Sequence, residues 1–329
     1  MWKELAQRIL NGYQLTQEDA LAVLRAPESE HLQILDAAWT IRRHYFGNLV
    51  KANVLSNAKR GLCSEDCHYC GQSQHAQDVS AKHGFLSKEE LVNQAKEAKE
   101  TGGSRFCVTM AVRSASWSAV ETLAEATKEI KSDLGMEVCA CMGLMTGDTG
   151  RAKLKFLKDA GVDAYNHNLN THEEIYPQIC STHTYQDRME TLHNAQQAGF
   201  SLCSGLIIGM GESDEQIAEL ALTFRREKVD SIPVNFLIAV EGTKLAQRLQ
   251  TELRPWKALR YLCLFRLANP SAEIRASAGR ELHLRSLQNL ALFPANSLFL
   301  DGYLTQPGQG AEKDLAMIQD LEMEVIAGH

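Results

Sequence analysis

The 329-residue chain has no uninterrupted apolar run near the ~18 residues that would mark a membrane-spanning helix. Its first residues, Met1-Trp2-Lys3-Glu4, lack the apolar stretch of a secretory leader, so the protein is expected in a reducing, cytoplasmic setting. No block of Lys and Arg is long enough to follow a phosphate backbone and the net charge is −7, so nucleic acid is not an expected partner. There is no low-complexity tract and no break in composition. The nine cysteines are an odd number, which argues against a disulfide framework and leaves thiols available for metal. Also missing is a fourth cysteine beside three that stand close together.

Those three are Cys63, Cys67 and Cys70, in the run Gly61-Leu62-Cys63-Ser64-Glu65-Asp66-Cys67-His68-Tyr69-Cys70. Three thiolates on one short loop can hold three corners of a [4Fe-4S] cube and leave one iron free for another ligand. Electron-transfer ferredoxins close the cube with four cysteines at other spacings. Structural zinc prefers four closed ligands, and here a fourth could come only from His68, His75 or a distant residue. The open iron points to chemistry at the cluster rather than to simple electron carriage.

The 44% hydrophobic content supports a sizeable core. Residues 1–45 read as a helical N-terminal extension, with Thr16 placed to cap a helix that begins with acidic residues. Strand-like runs then alternate with amphipathic helical stretches. The strand candidates are Leu49–Leu55, Arg105–Met110, Met136–Gly143, Ala164–Leu169, Leu202–Ile208, Ile232–Ala239, Glu273–Ser277 and Asn296–Leu300. The intervening helices are expected over Lys88–Glu100, Ser118–Lys131, Arg151–Ala160, Tyr185–Ala198, Asp214–Glu227, Pro255–Ala268 and Glu281–Leu290. Eight strands in this alternation argue for an α/β fold of the TIM type, a (β/α)8 parallel barrel over residues 46–301, although a doubly wound sheet gives the same rhythm. Residues 302–329 form a C-terminal extension with a last helix near Glu312–Leu321. In a barrel the three-cysteine loop, which follows the first strand, lies where active sites are built.

Further cysteines lie inside strand candidates: Cys107, Cys139 and Cys203. A strand cysteine is usually a small core residue, but three on different strands of one barrel can converge on its interior and hold a second metal site. Cys141 shares a strand face with Cys139, so parity does not choose between them. Cys180 and Cys263 read as buried or incidental thiols. In Tyr165-Asn166-His167-Asn168-Leu169-Asn170 the three asparagines alternate onto one face, with His167 on the other. Asparagine is depleted in strands, so this face and Asn235, within an apolar strand, read as a polar ligand surface. Arg275, mid-strand, must meet an anion, a carboxylate in a buried salt bridge, or something less usual. Gly205-Leu206-Ile207-Ile208-Gly209-Met210-Gly211-Glu212 lacks the Gly-x-Gly-x-x-Gly order of a dinucleotide loop; its glycines suit close approach of a ligand to a strand end.

Cys63-x3-Cys67-x2-Cys70, with Tyr69 before the last cysteine, resembles the signature of the radical S-adenosylmethionine enzymes, and Gly205-x-Ile207-x-Gly209-x-x-Glu212 is similar to their adenine-contacting strand. More narrowly, nearly the whole chain resembles the biotin synthase family. The segments that carry this are Asn57–Cys63, Tyr165–Leu169, Thr184–Arg188, Pro233–Phe236 and Arg275–Glu281. The resemblance implies two clusters: [4Fe-4S] on Cys63, Cys67 and Cys70, and [2Fe-2S] on Cys107, Cys139, Cys203 and Arg275. It implies that Tyr69, Asn168, Asn170, Arg188 and Ile207 contact S-adenosylmethionine, with Asn168 and Asn170 at its ribose and Arg188 at its carboxylate. It also implies that Asn166, Asn168 and Asn235 hold the ureido ring of dethiobiotin. The chain departs at Asn170, where many relatives carry aspartate. The implied reaction breaks S-adenosylmethionine by one electron, abstracts hydrogen from dethiobiotin, takes sulfur from the inner cluster and repeats to close the ring of biotin. A flavodoxin-type electron donor and a homodimer are further expectations of the family.

Overall fold

The computed structural model describes residues 1–61, 63–76, 82–246 and 253–326. Leu62, in the cysteine run, and the last three residues of the C-terminal extension lie outside the described residues. The chain opens with α1 (Trp2–Leu10), α2 (Gln17–Arg25) and α3 (His31–Phe46). Thr16 caps α2 as its residue type suggests: its hydroxyl accepts from the Asp19 N–H, and the Asp19 carboxylate accepts from the Thr16 N–H at 3.0 Å. The buried sides of these helices, including Ile34, Ala38 and Ile41 of α3, join one apolar cluster with Leu262 and Phe265 of the barrel's outer helices.

Strands and helices then alternate: β1 (Leu49–Lys59), α4 (Lys88–Glu100), β2 (Arg105–Met110), α5 (Trp117–Glu129), β3 (Glu137–Cys141), α6 (Gly147–Asp159) and β4 (Ala164–Asn166). They continue as α7 (Tyr176–Ile179), α8 (Tyr185–Gln197), β5 (Ser201–Cys203), β6 (Leu206–Ile208), α9 (Asp214–Arg226), β7 (Ser231–Phe236), α10 (Pro255–Ala268), β8 (Glu273–Ala276), α11 (Arg280–Leu284) and β9 (Ser297–Phe299). The strands pair in parallel in the order β1-β2-β3-β4-β5-β7-β8-β9, and β9 returns to β1. This closure makes the molecule a (β/α)8 barrel and excludes the open doubly wound sheet. The extension adds a short hairpin, β10 (Gly302–Tyr303) and β11 (Gln306–Pro307), then α12 (Ala311–Asp320) and β12 (Glu324–Val325), which pairs with the start of β1. Among the described residues no helix is long and apolar enough to cross a membrane.

The strand expected over Leu202–Ile208 is two pieces, β5 and β6. At Gly205 between them a Cβ would stand 2.0 Å from the Pro233 carbonyl oxygen, so two backbones meet where no side chain fits. The strand expected over Ala164–Leu169 stops at Asn166. There the Asn168 side chain accepts the Gly205 N–H at 2.9 Å, a donor that a continuing ladder would have used. Asn170 then turns the chain at φ +68°. The helix expected over Glu281–Leu290 ends as α11 at Leu284 and resumes as a 3-10 segment, Arg285–Leu292, because Arg285 takes φ +51°.

Candidate active site

The three-cysteine loop leaves the C-terminal end of β1. Hydrogen bonds from Cys70 N to Cys67 O and from Ser73 N to Cys70 O, both 3.1 Å, wind it into tight turns. Gln72 holds its base: the side-chain oxygen accepts from Gly61 N at 2.9 Å, and its own N–H donates to Cys70 Sγ at 3.4 Å. The two carboxylates between the first cysteines fasten the loop sideways onto residues 180–183. Asp66 accepts from Ser181 N at 2.9 Å and from the Ser181 hydroxyl at 2.5 Å. Burial opposes the charged form of Asp66, yet these donors, with Cys180 and Thr182, hold its carboxyl well below the usual range. Glu65 accepts from the Thr182 hydroxyl at 2.7 Å, from Arg113 at 3.2 Å and from His183 Nδ1.

All three loop cysteines line a cavity of about 340 Å³ in the barrel mouth. Tyr69, Asn168, Asn170, Arg188 and Ile207 line the same cavity. The Tyr69 hydroxyl lies 2.5 Å from the Asn170 amide, and with its oxygen turned inward that amide accepts from the two Arg188 terminal nitrogens at 3.2 and 3.3 Å. Arg188 donates to the Asn168 carbonyl at 2.7 Å and to the Tyr176 hydroxyl, and it lies 2.7 Å from His183 Nε2. Ile207 N donates to the Asn170 carbonyl at 2.7 Å, which fixes the β6 edge against the asparagine loop. Glu212 caps the following turn, accepting from Met210 N at 2.9 Å and from the Thr171 hydroxyl at 2.5 Å, while burial raises its pKa.

Deeper in the barrel lies a second cavity of about 230 Å³, lined by Cys107, Cys139, Cys141 and Arg275. Cys203, fully buried, joins Cys107 and Cys139 in one packed cluster. A hydrogen bond from the Cys139 thiol, with Arg275 and Arg105 nearby, outweighs burial and lowers the Cys203 thiol. Cys107 is lowered for the same reasons, whereas Cys139 is raised by the bonds it donates and by burial. Arg275 points Nη1 at Cys203 Sγ from 4.0 Å and donates to Glu273 at 2.5 Å and to the Ser231 hydroxyl at 2.9 Å. The inward arginine therefore meets both a carboxylate and a thiol. Cys141 lies on the same strand face as Cys139 but one side-chain layer toward the mouth, and burial first, with the neighbouring thiols Cys203 and Cys107, pushes it up to about 12.

The two cavities share a wall to which three asparagine amides contribute. Asn166, Asn168 and Asn235 line both of them, together with Cys141 and Tyr303. Asn166 Nδ2 donates to Cys203 Sγ at 3.0 Å and to Asn168 Oδ1 at 3.2 Å. Asn235 ties three strand ends together, donating to Leu206 O at 3.0 Å and accepting from Ala278 N at 3.2 Å. His167 borders the mouth cavity too, but its side chain is buried and its Nε2 has no hydrogen-bond partner among the described residues.

Cys180, not read as a site residue, is buried as expected, in one apolar cluster with Cys67. Its Sγ lies 3.8 Å from Cys67 Sγ and 3.3 Å from Asp66 Oδ1, at the back of the cysteine loop. His183, Glu65, Asp66 and Gln72 were likewise not read as site residues in the sequence; the one signal available was the Cys-x2-His spacing of Cys180 and His183. Both donor sets fit the groups that the resemblance implies. Three thiols from one loop facing an open cavity suit a cluster with one free iron. The inner set is buried and thiol-rich, with two guanidinium groups beside it that favour the thiolate form, which suits a thiolate-bound cluster.

A family model described as the radical SAM superfamily matches residues 61–224, and one described as the biotin and thiamin synthesis associated domain matches residues 233–324. Biotin synthase of Bacillus cytotoxicus is 46% identical over 324 residues, 98% of this chain and 96% of the relative. Biotin synthase of Bacillus mycoides is 45% identical over 324 residues with the same coverage. Among solved structures, methylornithine synthase superposes with a TM-score of 0.81 at 21% identity, covering 98% of this chain and 97% of that one. The FeFe-hydrogenase maturase from Carboxydothermus hydrogenoformans gives 0.81 at 16% identity, covering 98% and 79%. At such identities these two are evidence for the fold alone.

Proposed function

The chain belongs to the biotin synthase family of the radical S-adenosylmethionine superfamily, and on that basis we propose a residue-by-residue division of labour for converting dethiobiotin to biotin. When bound, the [4Fe-4S] cluster supplies the electron that cleaves S-adenosylmethionine, and the [2Fe-2S] cluster supplies the sulfur. Cys63, Cys67 and Cys70 would hold the first, and Cys107, Cys139, Cys203 and Arg275 the second. Arg188 would pair with the cofactor carboxylate, its planar fork already oriented by Tyr176 and the Asn168 carbonyl. Asn168 and Asn170 would meet the ribose hydroxyls, with Tyr69 and Ile207 beside them. Asn166, Asn168 and Asn235 would receive the ureido group, whose N–H and C=O pair with amides of either sense.

The observation that carries this reading is the wall that the two cavities share. A substrate held by Asn166, Asn168 and Asn235 borders the cavity of the loop cysteines on one side and that of the strand cysteines on the other. It is thus positioned for hydrogen abstraction from the first and sulfur capture from the second. The enclosed position also excludes water and stray hydrogen donors from a reactive carbon centre. We extend the proposal to a flavodoxin-type electron donor, a homodimer and a reducing, cytoplasmic setting; nine free cysteines are compatible with that last point.

Anaerobic reconstitution followed by iron and sulfide counting tests the assignment. Two unlike clusters per chain and dethiobiotin-dependent cleavage of S-adenosylmethionine are expected. A single cluster per chain with full sulfur insertion would overturn it.

A further inference from the structure

The back of the cysteine loop carries a donor set of which the sulfur-insertion reading uses only Cys67. Cys67 Sγ, Cys180 Sγ and a ring nitrogen of His183 all lie within 4.8 Å of one another, and all three residues are buried. Zinc–sulfur bonds of about 2.3 Å and zinc–nitrogen bonds of about 2.0–2.1 Å at tetrahedral angles require sulfurs roughly 3.8 Å apart and sulfur–nitrogen separations of roughly 3.5 Å. The Cys67–Cys180 distance is 3.8 Å, and the two ring nitrogens of His183 stand 3.3 and 3.8 Å from Cys180 Sγ. Two buried carboxylates, Glu65 and Asp66, touch His183 and Cys180 and add negative potential around the same atoms.

We propose that the cluster-free chain binds one thiophilic divalent cation of the zinc class at Cys67, Cys180 and His183. The cation takes three protein ligands and leaves a fourth position for water or a carboxylate oxygen. Cys67 cannot serve this ion and the [4Fe-4S] cluster together, so the two metal states of the loop exclude each other. The ion occupies the loop before assembly and must leave before the cluster is loaded. The inference goes beyond the sulfur-insertion reading, and nothing in it depends on catalysis.

Cobalt(II) is the probe, because thiolate ligation gives it a charge-transfer absorption and tetrahedral geometry strengthens its visible bands. The full-length, cluster-free chain carrying Cys63→Ser and Cys70→Ser is titrated with cobalt, and the same variant with Cys180→Ser added is titrated beside it. Serine keeps the size and the hydrogen bonds of Cys180. The inner cysteines, unchanged in both, serve as an internal standard for folding. The expected result is one equivalent fewer of tightly bound cobalt, or an affinity at least about tenfold weaker, with the inner signal retained. His183→Gln in the same background is expected to weaken the same equivalent. Identical stoichiometry and affinity in all three proteins would overturn the proposal. Separately, pre-equilibration with zinc is expected to slow [4Fe-4S] reconstitution of the unsubstituted chain, and less so with Cys180→Ser; equal slowing in both would count against the shared site.

Discussion

Cys107 and Cys139 stand directly opposite each other on the adjacent parallel strands β2 and β3, and Cys141 pairs instead with Thr109, one layer nearer the mouth. The pleat therefore sorts two thiols of one strand face by depth. Cys139→Ala is expected to remove the inner cluster, and Cys141→Ala to leave it in place. Iron and acid-labile sulfide per chain after anaerobic reconstitution decide the point. Equal loss in both variants would mean that Cys141 is a ligand.

Glu273 anchors the floor of the inner site. Burial alone would raise its pKa, but Arg105 at 3.0 Å and Arg275 at 2.5 Å hold it well below the usual carboxylate range. A group depressed in this way stabilises the fold above the ordinary carboxylate pKa, and that contribution is lost as the pH falls toward the depressed value. Removing one partner from a buried ion pair costs about 3–5 kcal/mol. Glu273→Gln is expected to lower the urea midpoint of the cluster-free protein at neutral pH and to flatten its acid limb. An unchanged pH profile would show that the pairing adds no stability.

Much of this was legible in the chain itself. The alternation of strands and helices gave a parallel α/β fold, and the cysteine spacing gave the loop, because both are periodic or local signals; choosing the barrel over the doubly wound sheet took the β9–β1 pairing. What was not legible depends on contacts between distant segments. Gly205 divides a strand because Pro233 passes behind it, and Asn168 ends β4 by taking the Gly205 N–H. Neither event has a signature within a short window of sequence. Cys180 and His183 show the opposite failure. Their spacing was visible, but their relation to Cys67, 113 residues from Cys180, required the fold.

Asn170 holds φ +68° while its side chain faces Tyr69 and Arg188. Left-handed backbone costs most residues about 1–2 kcal/mol, and glycine almost nothing. Two substitutions therefore separate backbone from ligand. Asn170→Ala is expected to lose stability and to weaken S-adenosylmethionine binding about tenfold. Asn170→Gly is expected to recover the stability and not the affinity. Thermal melts and equilibrium binding of the cofactor by the cluster-loaded protein measure the two separately; full affinity in the glycine variant would remove Asn170 from the proposed ribose contact.

Asn166 stands where the two halves of the proposed reaction meet, and its Nδ2 already has a partner in Cys203 Sγ at 3.0 Å. A hydrogen bond to a ligand sulfur draws charge from the iron and raises a cluster's reduction potential. One such bond contributes about 1 kcal/mol, equivalent to roughly 40 mV for a single electron. Asn166→Ala is therefore expected to shift the inner cluster's midpoint potential negative by about that amount. It is also expected to raise the KM for dethiobiotin about tenfold, because the ureido group loses one amide. Asn235→Ala should raise KM in the same way while leaving the potential unmoved, since its partners are backbone atoms of Leu206, Pro233 and Ala278 rather than a cysteine. Potentiometric titration and substrate saturation on both variants test the distinction. A potential unmoved in Asn166→Ala would show that this amide serves the substrate alone.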